Sequence, residues 1–200
     1  ILPEEFPVVL SVFMALGAWR LAKSNVLARK SQTIETLGSA TVLCTDKTGT
    51  LTENRMAVAR TIDIMGNRAD EVTRGRIIAY GVLASQRNPF DPMEEALLAA
   101  SSDLPAGYNG MDIIKEYPLS SESFSVAHAW GSGGKVETVA LKGAPEEVFR
   151  LCRLPEADRE RLQTIVSDAA DDGLRVLAVA RAAANVLEDS REDYNYELLG

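Results

Sequence analysis

The sequence predicts an α+β fold in which an antiparallel sheet is covered by helices and preceded by one apolar helix. Short runs rich in β-branched and aromatic residues cluster between residues 113 and 142, as in antiparallel strands. Segments with helical spacing, opened by Asp or Pro, flank these runs on both sides. A charge-free stretch over residues 6–19 opens the chain, as in a helix that is buried or lies in a membrane.

The composition is that of a folded, acidic chain. Its 200 residues are 46% hydrophobic and 25% charged, which suffices for one domain or two small ones. Against 29 acidic residues stand 21 basic ones, and the net charge of -8 argues against a nucleic-acid partner, whose affinity would need clustered Lys and Arg. With only 2 cysteines there is no disulfide framework, and a reducing compartment is expected.

Residues 1 to about 30 are predicted to form one helix, first apolar and then basic. Its basic residues are Arg20, Lys23, Arg29 and Lys30. Such a helix either leaves a membrane with its positive end in the cytoplasm or is a buried helix of a soluble domain. The chain begins without Met and stops without a clear ending, so we expect a piece of a longer protein.

The next segments predict a strand and a hairpin. Residues 40–45 are apolar and β-branched, which indicates a buried parallel strand with Cys44 as a small core residue. Residues 56–65 alternate between apolar and polar, and the following Gly66-Asn67 is typical of a hairpin turn.

The remaining elements form the predicted sheet and its helices. Helices are predicted over residues 71–84 and from Asp91-Pro92 onward, where Asp serves as N-cap and Pro takes the first helical position. The predicted strands are residues 113–119, 125–130, 136–142 and 176–181. Further helices are predicted from Pro145 to about residue 152 and from Pro155 to Gly173.

The sharpest functional signal is the heptapeptide DKTGTLT at residues 46–52. Asp46 follows the predicted strand, at the position where open parallel sheets place their ligands. A carboxylate there can attack a phosphoryl group and form an acyl phosphate when Mg²⁺ and a cation screen the negative charges. Thr48 and Thr50 supply hydroxyls, and Gly49 lets the backbone approach a phosphate. A single loop Asp is usually a helix cap, but the whole heptapeptide favours the nucleophile.

With its neighbours, this segment (CTDKTGTLT) resembles the phosphorylation motif of the P-type ATPases, the ion pumps that form an aspartyl phosphate in each cycle. The resemblance continues along the chain. LPEEFP at 2–7 is similar to the PEGLP-type segment of the fourth transmembrane helix. DPME at 91–94, KGAPE at 142–146 and DGLRVLA at 172–178 are similar to segments of the nucleotide-binding domain.

The resemblance implies ATP and Mg²⁺ as cofactors and assigns roles in phosphorylation. Asp46 would be the phosphorylated nucleophile and a Mg²⁺ ligand, with Lys47 beside it. Thr48 would bind Mg²⁺ through its backbone carbonyl and the γ-phosphate through its side chain or amide.

The resemblance also implies an adenine pocket. Lys142 would line it, Gly143 and Ala144 would let the base lie close, and Arg175 would reach the phosphates. Asp91 and Glu94 would face the adenine or the ribose.

One segment of the implied pocket departs from the family pattern. Leu119 stands where a stacking aromatic residue is expected, and Ser121 and Phe124 stand where basic residues are expected. Leucine can cover an adenine face, and Phe124 is an alternative aromatic. Weak ATP binding is therefore expected.

The implied architecture has three parts. Residues 1–30 would be the end of a transmembrane helix and its stalk, and residues 31–55 the first strand and loop of a haloacid-dehalogenase-like α/β phosphorylation domain. Residues 56–200 would be a nucleotide-binding domain, incomplete at its C-terminus, with the chain in the cytoplasm from about residue 30. Glu4 would coordinate the transported cation. Its hard carboxylate oxygen suits Ca²⁺, Na⁺, K⁺ or Mg²⁺ rather than soft copper or zinc, and Ca²⁺ is favoured among these.

Two other functions remain open from the sequence. A soluble phosphatase of the haloacid-dehalogenase type would normally carry a second Asp two residues after the nucleophile, where this chain has Thr48. A pump-derived regulatory or scaffold module that binds no nucleotide would explain the altered Leu119–Phe124 segment. The isolated chain is expected to show no ATPase activity, because the family's cycle also needs the rest of the phosphorylation domain and an actuator domain.

Overall fold

The computed structural model describes residues 5–101, 110–121 and 123–200. The chain divides into two compact units, Ile1–Glu53 and Asn54–Gly200. The larger unit is α+β, as predicted, with a five-stranded sheet flanked by helices. This architecture is compatible with a nucleotide-binding domain.

The smaller unit contains two helices, α1 (Glu5–Lys23) and α2 (Ser31–Gly38). Helix α1 ends earlier than the predicted residue 30, at a turn where Asn25 takes a left-handed φ of 59°. Its 19 residues would extend about 28 Å at 1.5 Å per residue, close to the thickness of a bilayer core. It is long and apolar enough to cross a membrane, and its described side chains are not buried.

The prediction of a strand at residues 40–45 is wrong. The segment forms no strand, and Val42, Leu43 and Cys44 are exposed. A buried strand requires neighbouring strands on which to hydrogen-bond, and within the described residues none pairs with this segment. Cys44 is therefore not the core residue that the pattern predicted.

The larger unit begins with a short hairpin and continues into the sheet. A bridge between Ile62 and Arg68 closes the predicted turn, and the Asp63 carboxylate accepts hydrogen bonds from the amides of Met65 and Asn67. The helices are α3 (Glu71–Leu83), α4 (Pro92–Ala100), α5 (Pro145–Leu151) and α6 (Glu156–Asp171). Asp91 caps α4 and Pro92 opens it, as predicted.

The sheet is antiparallel throughout and runs β1-β2-β3-β4-β5. Its strands are β1 (Asp112–Tyr117), β2 (Ser125–Ser132), β3 (Lys135–Gly143), β4 (Ala178–Ala183) and β5 (Glu197–Leu198). The first four match the predicted strands within a few residues. The two-residue β5 is too short for a pattern in the sequence to indicate it.

Strand alternation divides the core between the two faces of the sheet. On one face, which we call the α5/α6 face, Val139 and Leu141 pack with Val148, Phe149 and Leu162 of those helices. On the other, the α3/α4 face, Ala140 and Val179 pack with Ile77, Tyr80 and Leu83. Successive residues of β3 therefore face different environments.

Candidate functional site

The C-terminus of α3 is held against the sheet by two side chains of β2. His128 Nδ1 lies 3.1 Å and Trp130 Nε1 lies 2.9 Å from the Leu83 carbonyl oxygen. The last carbonyls of a helix lack partners within the helix, so these donors satisfy one of them. Because that oxygen only accepts, neutral His128 carries its proton on Nδ1. Burial lowers the pKa of His128, which is consistent with a neutral side chain packed against the helix end.

Ser85 and Gln86, which follow the C-cap of this helix, reach the predicted adenine pocket. The Ser85 hydroxyl lies 2.8 Å from the Gly81 carbonyl oxygen and 2.5 Å from Lys142 Nζ. The backbone amide of Gln86 donates to Glu94 Oε2 at 3.2 Å. Sequence reasoning missed Ser85 and Gln86, since polar residues after a helix are ordinary and belong to no motif.

Lys142 and Glu94 form the most buried ion pair among the described residues. Lys142 Nζ lies 2.6 Å from Glu94 Oε1, and the side chains are 8% and 15% exposed. Burial lowers the pKa of Lys142, while the carboxylates of Glu94 and Asp91 oppose that effect. The Asp91 carboxylate accepts from the Met93 amide at 2.8 Å. The structure thus brings together Asp91, Glu94 and Lys142.

Gly143 ends β3 and Ala144 follows it, and both lie beside the start of β2. A Cβ at Gly143 would lie 2.5 Å from the Phe124 carbonyl oxygen and 2.7 Å from the Ser125 Cα, so a larger residue would push the strands apart. The Ala144 amide donates to the Phe124 carbonyl at 2.9 Å. The small residues of this motif therefore already serve the close approach of two strands.

The two end residues of the segment that departs from the family pattern are exposed, but its ends are anchored. Leu119 is 61% and Phe124 is 62% exposed. Arg191 donates to the carbonyl oxygens of Pro118 and Ser125, one before and one after this segment. These contacts hold its two ends against the sheet.

Phe124 shares a face with Lys142. Val126 is the cross-strand partner of Lys142, and directly paired residues point to the same side of a sheet. The bond from the Ala144 amide extends the ladder to Phe124, two residues before Val126. With a period of two residues, Phe124 lies on the α3/α4 face, at its open end.

Two other predicted site residues are Arg175 and Glu4. Arg175 is exposed in the connection between α6 and β4. Glu4 lies outside the described residues.

The predicted phosphorylation motif, residues 46–52, lies in the smaller unit as an exposed, turn-rich segment. Asp46 precedes a π-type turn at Lys47–Leu51, in which Gly49 takes a left-handed φ of 76°. Asp46 Oδ1 accepts from the Thr48 amide at 3.4 Å, and the Thr52 amide donates to the Lys47 carbonyl at 3.1 Å. The segment folds back on itself and leaves Asp46 accessible.

The oxygen atoms at Asp46 and Thr48 are of the type that binds Mg²⁺. Carboxylate and backbone carbonyl oxygens are the hard donors that this ion prefers, and Asp46 and Thr48 supply one of each. In the part of the chain that the structure describes, His, Cys, Asp and Glu form no group of three able to hold a metal ion.

A groove of about 720 Å³ lies along α6, away from the Lys142 cluster. Its lining includes Glu146, Glu156, Glu160 and Asp168, together with Arg159. The acidic side chains would repel a polyphosphate, so the groove is a poor nucleotide site despite its size.

Comparison with known proteins finds relatives that are named cation-transporting ATPases. The chain is 34% identical over 196 residues to a Mycobacterium leprae protein named probable cation-transporting ATPase I, and 33% identical to its Mycobacterium tuberculosis counterpart. It is 30% identical over 229 aligned residues to a cation-transporting ATPase of Synechocystis. Each match covers 90% of this chain. These relatives support the identification of the chain as a fragment of a P-type ATPase.

The chain spans only a small part of the length of these relatives. It spans 12% of the two mycobacterial ATPases and 25% of the Synechocystis one. No family model matches the chain.

Proposed function

We propose that this segment binds Mg-ATP on the α3/α4 face and carries at Asp46 the carboxylate that is phosphorylated in the full-length pump. The observation that supports nucleotide binding most directly is the cluster of Lys142, Glu94 and Asp91 at the open end of that face. A buried ammonium beside two carboxylates offers both donors and acceptors within one small site. The motif at residues 46–52 supports the phosphorylation.

Recognition of adenine follows from the chemistry of this cluster. The base presents ring nitrogens that accept and an amino group that donates. Lys142 would donate to a ring nitrogen, while Glu94 or Asp91 would accept from the amino group or a ribose hydroxyl. Phe124 would cover one face of the base and Leu119 its edge, with Gly143 and Ala144 beneath it and Arg175 toward the phosphates.

Phosphorylation would require Asp46 and its neighbours. An Asp46 carboxylate oxygen would attack the γ-phosphorus of ATP, the bond to the β-phosphate oxygen would break, and ADP would leave with that electron pair. Mg²⁺ would reduce the repulsion between the carboxylate and the phosphates, held by Asp46 and the Thr48 carbonyl. Lys47 would add a positive charge beside the nucleophile.

The proposed division of the chain follows these roles. Residues 1–30 are the end of a transmembrane helix and its stalk, residues 31–55 begin a haloacid-dehalogenase-like phosphorylation domain, and residues 56–200 belong to the nucleotide-binding domain. The exposed apolar surface of α1 and the basic Arg20 and Lys23 at its end support a membrane position with residues from about 30 in the cytoplasm. Glu4 would bind the transported cation, with Ca²⁺ favoured by its oxygen donors.

The phosphorylation proposal is tested in the full-length pump. Asp46→Asn should abolish acid-stable labelling by γ-labelled ATP, because an amide does not attack as a carboxylate does. Asp168→Asn, on the exposed surface of α6, is the matched control and should keep the labelling. Persistent labelling of the Asp46 variant would mean that the nucleophile lies elsewhere.

A regulatory module that binds no nucleotide is the second candidate. It is favoured by one observation: the Lys142 ammonium already donates hydrogen bonds to Glu94 and Ser85. A titration with ATP separates the two functions, since Trp130 lies at the same helix end as Ser85 and reports on it by fluorescence. A saturable change supports nucleotide binding, and a flat response supports the module.

A further inference from the structure

Ser85 links the end of α3 to the ammonium of Lys142. Both residues are buried, with 4% and 6% of their surface exposed. An ammonium only donates and a carbonyl only accepts, so the Ser85 hydroxyl donates to Gly81 and accepts from Lys142. Each of the two hydrogen bonds of the Ser85 hydroxyl therefore has one defined donor and one defined acceptor.

The backbone after α3 also holds Glu94, the ion-pair partner of Lys142. The Gln86 amide donates to Glu94 Oε2, while Oε1 accepts from Lys142. The helix end itself is held by His128 and Trp130 through the Leu83 carbonyl. The position of the ammonium therefore depends on where the sheet anchors the end of α3.

We propose that Ser85 is a positioning residue of the nucleotide site, whose hydroxyl holds the Lys142 ammonium when Glu94 turns from the ion pair to a bound nucleotide. The inference rests on the proposed function of the α3/α4 face. A buried ammonium that loses its carboxylate is strongly destabilised unless another acceptor remains. Ser85 is that acceptor, because its contact with Lys142 does not involve Glu94.

The charges around Lys142 determine how far its ammonium depends on the Ser85 hydroxyl. Glu94 of α4 and its N-cap Asp91 favour the ammonium, whereas burial favours the neutral amine and so lowers the pKa of Lys142. His128 of β2 also faces this group. Without Ser85, withdrawal of Glu94 would leave a lysine that loses its proton or moves, and either change removes the donor that the base requires.

The test compares Ser85→Ala, Ser85→Cys and Ser85→Thr in the 200-residue chain. The pKa of Lys142 is measured by NMR with labelled lysine, with the signal identified by its loss in Lys142→Arg, and ATP affinity is measured by calorimetry. Ser85→Ala should lower the pKa of Lys142 and weaken ATP binding roughly tenfold, as expected for a hydrogen bond to a charged group. Ser85→Thr should restore both values, and Ser85→Cys, a similar shape with a weaker acceptor, should lie between them.

Thr138→Val is the control, because it removes a buried hydroxyl that bonds to the Ala182 carbonyl rather than to Lys142. It should leave the pKa of Lys142 and the ATP affinity unchanged. If the unaltered chain binds ATP and both Ser85→Ala and Ser85→Cys bind it equally well, the inference is overturned while the proposed function stands. If the unaltered chain binds no ATP, the proposed function itself fails.

Discussion

The two faces of the sheet use the same strands for different purposes. On the α5/α6 face, Leu141 is fully buried among apolar side chains. On the α3/α4 face, the next residue, Lys142, is nearly as buried but contacts Ser85 and Glu94. Alternation along one strand thus places a core residue and a site residue side by side, so that the stability of the fold and the chemistry of the site can be tested separately.

The largest expected effect is on the apolar face. Leu141→Ala should lower the free energy of unfolding by about 3 kcal/mol, because the side chain is fully enclosed and leaves a cavity. Urea unfolding of the chain measures it. ATP affinity of the folded protein should not change, and a loss of affinity comparable to that of Lys142→Met would show that the two faces are not independent.

On the polar face, the ion pair should show strong coupling. Lys142→Met should lower the free energy of unfolding by about 2 kcal/mol, because it leaves the partly buried Glu94 without its ion-pair partner. The loss is smaller than for a fully buried pair because Glu94 keeps some exposure to water. The double variant with Glu94→Gln should cost less than the sum of the single changes, by about 1 kcal/mol or more.

The exposed pair of Arg60 and Asp172 is the matched control for that cycle. Its side chains are 42% and 64% exposed, so its coupling should stay below about 0.5 kcal/mol. Equal coupling in the two cycles would contradict the burial of the Lys142 pair.

A smaller effect should appear as a pH dependence of the α3/α4 face. The pKa of His128 is lower in the folded chain because of burial, so the unfolded chain binds the proton more readily. The free energy of unfolding should therefore fall as pH drops below about 6.5, the ordinary value for histidine. His128→Gln keeps a donor for Leu83 and should flatten this part of the profile; an unchanged profile would show that His128 is not responsible.

The smallest effect on stability is expected at the rim. Phe124→Ala should change the free energy of unfolding by less than about 0.5 kcal/mol, because the side chain is 62% exposed. It should weaken ATP binding several-fold if Phe124 stacks on the base, an interaction worth about 1 kcal/mol. Leu119→Ala is the comparison, and a larger loss there would assign the contact to Leu119 instead.

Local signals in the sequence predicted the larger unit well. Asp91-Pro92 marks the start of α4, and short runs rich in β-branched and aromatic residues mark the predicted strands, because caps and strand composition act over a few residues. The strand at residues 40–45 was mispredicted from its composition alone. An apolar, β-branched run becomes a strand only with a neighbour to pair with, and no described segment supplies one.

The site was only partly predictable for the same reason. The KGAPE and DPME segments pointed to Lys142, Asp91 and Glu94, which do lie together. Ser85 could not be found, because its role depends on a contact 57 positions along the chain. The capping of α3 by His128 and Trp130 is likewise a tertiary contact that no local pattern shows.

The most direct test of nucleotide binding is an ATP titration of the isotope-labelled chain in detergent micelles, followed by amide NMR. We expect the shifts to concentrate at residues 84–94 and 142–144, with a dissociation constant near 1 mM, equivalent to about -4 kcal/mol. Lys142→Met should remove these shifts. Shifts confined to the α6 groove at residues 156–168, or an affinity that Lys142→Met leaves unchanged, would contradict the assignment of the α3/α4 face as the nucleotide site.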